Sequence, residues 1–165
     1  MELVRLSDEG IKLAKIGKLR EAEKIFRDVL TRKPAAGFDD VSLALTQHEL
    51  GGVLRQFGDL DAVLELLTKS LAVRDRADDK ACISIALRDS NITREEIAKV
   101  YEAKGDYIKA LQMRQPDKRI CGNEVCETID YSDDELVACS RCKCVFYCSK
   151  TCQRQDWKSR HKSFC

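Results

Sequence analysis

The stretch that decides the architecture is the C-terminal run CGNEVCETIDYSDDELVACSRCKCVFYCSKTCQRQDWKSRHKSFC, residues 121–165. Seven cysteines and one histidine in it fall into four close pairs: Cys121/Cys126, Cys139/Cys142, Cys148/Cys152 and His161/Cys165. A tetrahedral zinc ion takes four N or S donors at about 2.0–2.3 Å, and short Cys-x-x-Cys or His-x-x-x-Cys spacings deliver two at a time. Four pairs therefore make two complete, closed sites of the structural kind. Cys148 and Cys152 are four residues apart, as are His161 and Cys165, so each pair can share one face of a helix. Ser149 is placed to cap the helix that follows Cys148. Cys139 and Cys142 suit a turn, and Val145-Phe146-Tyr147 reads as a short strand. Spacing alone leaves open which pairs share an ion. Cys144 is the spare cysteine and reads as a small buried or strand residue.

The string from Cys139 to Cys165 resembles a MYND zinc finger. The matching features are the Cys pairs, the aromatic pair before Cys148, Cys152-Gln153, Asp156-Trp157 and the closing His161-Lys162 and Cys165. The spacing of Cys121 and Cys126 is wider than usual for the first pair. The resemblance implies cross-bracing, with Cys121, Cys126, Cys148 and Cys152 on one zinc and Cys139, Cys142, His161 and Cys165 on the other. It also implies that Gln153 and Trp157 contact peptides of the proline-rich PxLxP kind. A Trp face can stack on proline rings and a Gln can bond an extended backbone. The alternative is that Trp157 serves as core for a module with few other large residues.

At 165 residues the chain can hold one small domain plus a metal module. A net charge of +1 gives no global field to attract nucleic acid or an acidic membrane. Two prolines and eight glycines argue against long disordered linkers. The opening MELVRLSDEG is acidic and lacks an apolar core, so it does not read as a signal peptide. No run approaches transmembrane length. Clustered Cys pairs without an export signal imply zinc thiolates in a reducing, intracellular setting, in the cytoplasm and/or nucleus.

Upstream, a phrase recurs: Gly17-Lys-Leu-Arg-Glu-Ala22, Gly58-Asp-Leu-Asp-Ala-Val63 and Gly105-Asp-Tyr-Ile-Lys-Ala110. Seven residues before each glycine lies a small residue (Gly10, Gly51, Ala98), and four before it a large one (Leu13, Leu54, Tyr101). This is the pattern of a helical hairpin. The glycine ends the first helix in a left-handed conformation, and the small residue admits the second helix closely. Ala22 and Phe26 share a face of the second helix, as do Val63 and Leu67. The pattern resembles the tetratricopeptide repeat, with Pro34 closing the first copy. The copies are 41 and 47 residues apart, which resembles the long-helix variety of kinesin light chains.

The expected fold is thus mainly α, with repeats over residues 1–117 and the finger over 118–165. In the third copy, Thr93-Arg-Glu-Glu96 has the form of a capping box, leaving open whether residues 81–104 are one helix or two. Pro116 should stop the last helix near Gln115. The connection to the finger is then so short that the finger should pack on that helix. His48 reads as an unpaired surface or packing residue, and Cys82 as a buried apolar side chain.

The leading functional reading is a non-enzymatic adaptor that binds proteins or peptides. The repeat family's clamp for a chaperone's C-terminal carboxylate falls on Ser7, Ile11, Glu49, Ile92 and Glu96, which lack its Lys, Asn and Arg donors. A methyltransferase of the SET type, some of which carry MYND fingers, would need a catalytic domain for which this chain has no room, so the alternative on that side is an accessory remnant of such an enzyme. Zinc hydrolysis would need an open coordination position. A nucleic-acid-binding or transcription-associated finger is the alternative suggested by Lys158-Ser-Arg-His-Lys162. Asp133, Asp134, Glu135 and Asp156 offset that basic run, which reads as a solvated face, so nucleic acid is not expected as a partner.

Overall fold

The computed structural model describes residues 2–78, 84–128 and 135–165. The chain divides into two compact units, Met1–Glu96 and Ile97–Cys165.

In the first unit, α1 (Glu2–Lys15) turns at Gly17 into α2 (Leu19–Arg32), and α3 (Asp40–Arg55) turns at Gly58 into α4 (Leu60–Asp78). Both glycines have the left-handed backbone expected of them, with φ of 79° and 88°. The close approaches are also where the repeated phrase puts them. A Cβ on Gly10 would lie 2.8 Å from the Phe26 ring, and one on Gly51 would lie 2.5 Å from the Leu67 side chain. Phe26 and Leu67 are fully buried there, with Ala22, Val29, Ala44 and Val63. The passage from α2 to α3 is pinned by a cation. Lys33 Nζ donates to the Ser42 carbonyl at 2.8 Å, to Ser42 Oγ at 2.9 Å and to Thr46 Oγ1 at 2.7 Å. Asp39 caps α3 by accepting from the Ser42 amide.

The long helix α5 (Ser84–Ala103) runs unbroken through Thr93, so of the two arrangements left open by the capping-box form the described residues adopt the single helix. Thr93 is a buried mid-helix residue: Arg74 Nη1 donates to its hydroxyl at 2.9 Å, and that oxygen lies 3.2 Å from His48 Nδ1. His48 is therefore a packing residue with a polar neighbour, not an unpaired one. Around it Arg55 pairs with Glu96 at 3.0 Å and Arg94 with Asp75 at 2.7 Å. Glu49 and Glu96 stand at two of the clamp positions as acids, the charge opposite to that of a carboxylate clamp. Cys82 lies outside the described residues.

The second unit takes in the end of α5, the short helix α6 (Tyr107–Met113) and the finger. Gly105 makes the turn between α5 and α6 with φ of 76°. Asp106 caps α6 by accepting from the Lys109 amide, and α6 ends three residues before Pro116. Among its described residues the finger has two strands, β1 (Val137–Ala138) and β2 (Phe146–Tyr147), paired antiparallel with Val137 opposite Tyr147 and Ala138 opposite Phe146. Helix α7 (Lys150–Ser159) and a 3-10 turn over His161–Ser163 complete it. Its small core consists of Leu136, Val145, Phe146 and Tyr147 with Cys121, Cys139 and Cys152. Among the described residues no helix is long and apolar enough to cross a membrane.

Candidate metal centre

Two sets of four donors converge in the finger. Cys121, Cys126, Cys148 and Cys152 form one, and Cys139, Cys142, His161 and Cys165 the other, with all donor atoms of a set within 4.8 Å of one another. In the first set, Cys148 Sγ is 3.6 Å from both Cys126 Sγ and Cys152 Sγ. In the second, Cys139 Sγ is 3.9 Å from Cys165 Sγ, and Cys142 Sγ is 3.5 Å from His161 Nε2. A tetrahedron with metal–sulfur bonds near 2.3 Å has edges of about 3.8 Å, so both cages have the size a zinc ion needs. The same separations are far too long for disulfides, and the cysteines are free thiols. The pairs alternate along the chain, so the two sites interleave.

Local structure explains each placement. Ser149 Oγ accepts from the Cys152 amide at 3.1 Å, starting α7 and setting Cys148 one turn from Cys152. Burial tends to raise the Cys152 thiol, but hydrogen bonds from Asn123 and Ser149 outweigh it and hold it at about 7. At the second site the turn after Cys139 places Lys143 at φ 60°, with its amide bonded to the Cys139 carbonyl at 3.0 Å. Burial again opposes the Cys139 thiolate, and the amides of Cys142 and Arg141 reverse that and hold the thiol below its usual range. Cys165 is pushed up to about 11, first by burial and then by the charge of Cys142. Its deprotonation goes with metal binding, which releases protons from such thiols. Burial lowers His161, keeping its imidazole neutral with a lone pair for a metal. Its Nε2 lies 3.5 Å from Cys142 Sγ and is the ring atom placed among the donors, while Nδ1 is buried without a hydrogen-bond partner.

Residues 120–165 match the MYND finger family. Short stretches of the chain are also similar to parts of three curated proteins. A 47-residue stretch is 43% identical to an F-box protein of Arabidopsis thaliana, covering 28% of this chain and 12% of that one. A 27-residue stretch is 67% identical to ubiquitin carboxyl-terminal hydrolase 19 of the same plant, covering 16% and 4%. A 49-residue stretch is 45% identical to human Egl nine homolog 1, covering 30% and 10%. The alignments thus span about a tenth or less of these relatives' own lengths. No solved structure matches the chain. The MYND finger and its two donor sets identify the cofactor as two zinc ions.

The remaining residues singled out in the sequence are also accounted for. Cys144 is buried outside both cages and its thiol donates to the Tyr107 carbonyl at 3.7 Å, a packing role. Trp157 is half-buried on α7, edge-on to His161 at 5.9 Å, with the Arg141 guanidinium 5.6 Å from its ring centre. Gln153 is half-buried one turn earlier. The basic run 158–162 is not a uniformly solvated face. Arg160 donates to Asp156 Oδ2 at 2.9 Å and also to Glu102, while His161 is buried.

Sequence reasoning missed what lies under the finger. Tyr147 donates to Asp156 Oδ2 at 2.8 Å, Asp156 binds Arg160, and Arg160 binds Glu102. Glu102 also binds Arg114, which donates to the Cys144 carbonyl at 2.8 Å. Arg114, Glu102, Asp156 and Tyr147 are each 2% exposed or less. Burial alone would raise the Glu102 carboxyl, but the two guanidiniums outweigh it and hold it below the usual range. The available signal was a pair of charges, Glu102 and Arg114, on either side of a hairpin turn.

Proposed function

We propose that this chain is a non-enzymatic, zinc-stabilised adaptor whose MYND finger binds proline-rich, PxLxP-like peptides through Trp157 and Gln153. The observation that carries the reading is the completeness of both donor sets. Four donors for each zinc leave no position for an activated water, so the metals serve shape and not hydrolysis. What the metals shape is α7, on which Gln153 and Trp157 remain half-exposed at i and i+4. Trp157 already accepts a cation on its ring from Arg141, and an aromatic face held this way is pre-organised for a proline ring.

The helices of the first unit are read as tetratricopeptide-like repeats that add a second protein-binding surface. In support, left-handed glycines recur at one point of the repeated phrase, and Gly10 and Gly51 make equivalent close contacts. A reducing intracellular compartment suits eight thiolate and imidazole ligands.

Titration of a fluorescent PxLxP peptide with the zinc-loaded chain tests the finger. The expected result is saturable binding that Trp157→Ala weakens by about tenfold or more, with zinc content unchanged. No saturable binding, or equal binding by the variant, would remove the peptide reading. Binding that follows a nucleic acid instead, with a steep salt dependence, would replace it.

A further inference from the structure

The geometry points to Glu102, Arg114 and Tyr107 as positioning residues for the second zinc site. They lie before residue 120, where the family match begins, so that site is completed by helices outside the finger. The inference rests on the two-zinc reading and concerns what holds one of the two cages together.

The ligands of the second site come from two separate segments, the turn Cys139–Cys142 and the closing turn His161–Cys165. Each segment is fastened from α5 and α6. On the first, Arg114 donates to the carbonyl of Cys144, whose own amide donates to Cys142 Sγ at 3.5 Å. On the second, Arg160 precedes His161 and pairs with Glu102, while the Tyr107 hydroxyl donates to the carbonyl of Phe164, next to Cys165. Glu102 joins the two fastenings, because Oε1 takes Arg114 and Oε2 takes Arg160. One buried carboxylate thus sets the separation between the two halves of the cage. With Glu102 1% exposed, water cannot replace either contact.

The first site is built differently. Its loop is held by the Gly122 amide on the Phe146 carbonyl at 2.8 Å and by Asn123 on Gln155 at 2.8 Å, both within the finger. A tie to α5 is the pair Lys99–Glu124 at 3.4 Å, between a buried lysine and a glutamate that is 44% exposed, so water reaches one side of it as it does not reach Glu102. Weakening Glu102 should consequently loosen one zinc and spare the other.

The test uses the full chain loaded with two zinc ions. A colorimetric chelator follows metal release, and cadmium-113 NMR of the exchanged protein separates the four-sulfur site from the site with three sulfurs and one nitrogen. Glu102→Gln should speed release from the second site by about tenfold or more and shift its resonance, leaving the first site at wild-type values. Tyr107→Phe removes one hydroxyl from a part-exposed ring and should act in the same direction, more weakly. It decides the matter if Glu102→Gln does not fold. Wild-type release rates at the second site, or equal acceleration at both, would overturn the proposal. A wild-type chain that binds fewer than two equivalents would instead sink the two-zinc reading.

Discussion

Leu67 and Tyr147 are both almost fully buried, yet they are buried against opposite kinds of neighbour. Leu67 lies over Gly51, apolar surface against a bare backbone, and Phe26 repeats the arrangement over Gly10. Tyr147 lies in the finger beside thiols and sends its hydroxyl to a buried carboxylate. The helical unit has enough length to bury oil. Among its described residues the finger buries only a few apolar side chains besides its cysteines, and it must substitute metal and paired charge. The difference predicts that the two regions fail under different insults.

The largest expected effect is metal removal. Structural zinc in small fingers contributes apparent binding energies of about 10–16 kcal/mol near neutral pH, as large as the whole stability of an ordinary domain. Excess chelator should therefore collapse the finger's amide dispersion in NMR while α1 to α4 keep their helical circular dichroism. Dispersed finger resonances without metal would erase the contrast between the regions. The converse insult is Leu67→Ala, which should cost about 2–5 kcal/mol in denaturant unfolding of the helical unit and leave the zinc count at two.

The same contrast explains what could be read from residues alone. The zinc donors announce themselves because chelation needs pairs at short, fixed spacing, and all eight meet as expected. The glycine turns are equally local: a left-handed residue is required at Gly17, Gly58 and Gly105, and the phrase repeats around it. The buried ion network was invisible because its partners are distant in the chain. Arg114 and Cys144 are 30 residues apart, and Arg160 and Glu102 are 58 apart. The choice between one helix and two around Thr93 stayed open for a related reason. Thr-Arg-Glu-Glu suits a helix start and a helix interior alike, and the choice was made by Arg74 and His48, side chains from α4 and α3. In the first two hairpins the small residue of the phrase does meet a large side chain of the next helix, Gly10 against Phe26 and Gly51 against Leu67.

The finest test of the oil-filled half is a pair of neighbouring glycines in α3. Replacing a helical glycine by alanine ordinarily stabilises by about 1 kcal/mol through the unfolded chain. At Gly52 the new methyl would meet only Glu96 Oε2, at 4.0 Å, which is ordinary contact. Gly52→Ala should therefore show nearly the full gain as a rise of a few degrees in thermal midpoint. At Gly51 the methyl would lie 2.5 and 2.8 Å from two carbons of Leu67, a fully buried side chain that would have to shift. Overpacking of that kind costs about 1–3 kcal/mol, enough to cancel or reverse the helical gain. Thermal melts of the two variants side by side should thus move apart, Gly52→Ala upward and Gly51→Ala level or downward. Two upward shifts of equal size would mean that α3 and α4 are not in close contact at Gly51, and that the small residue of the repeated phrase is not there to admit a neighbouring helix.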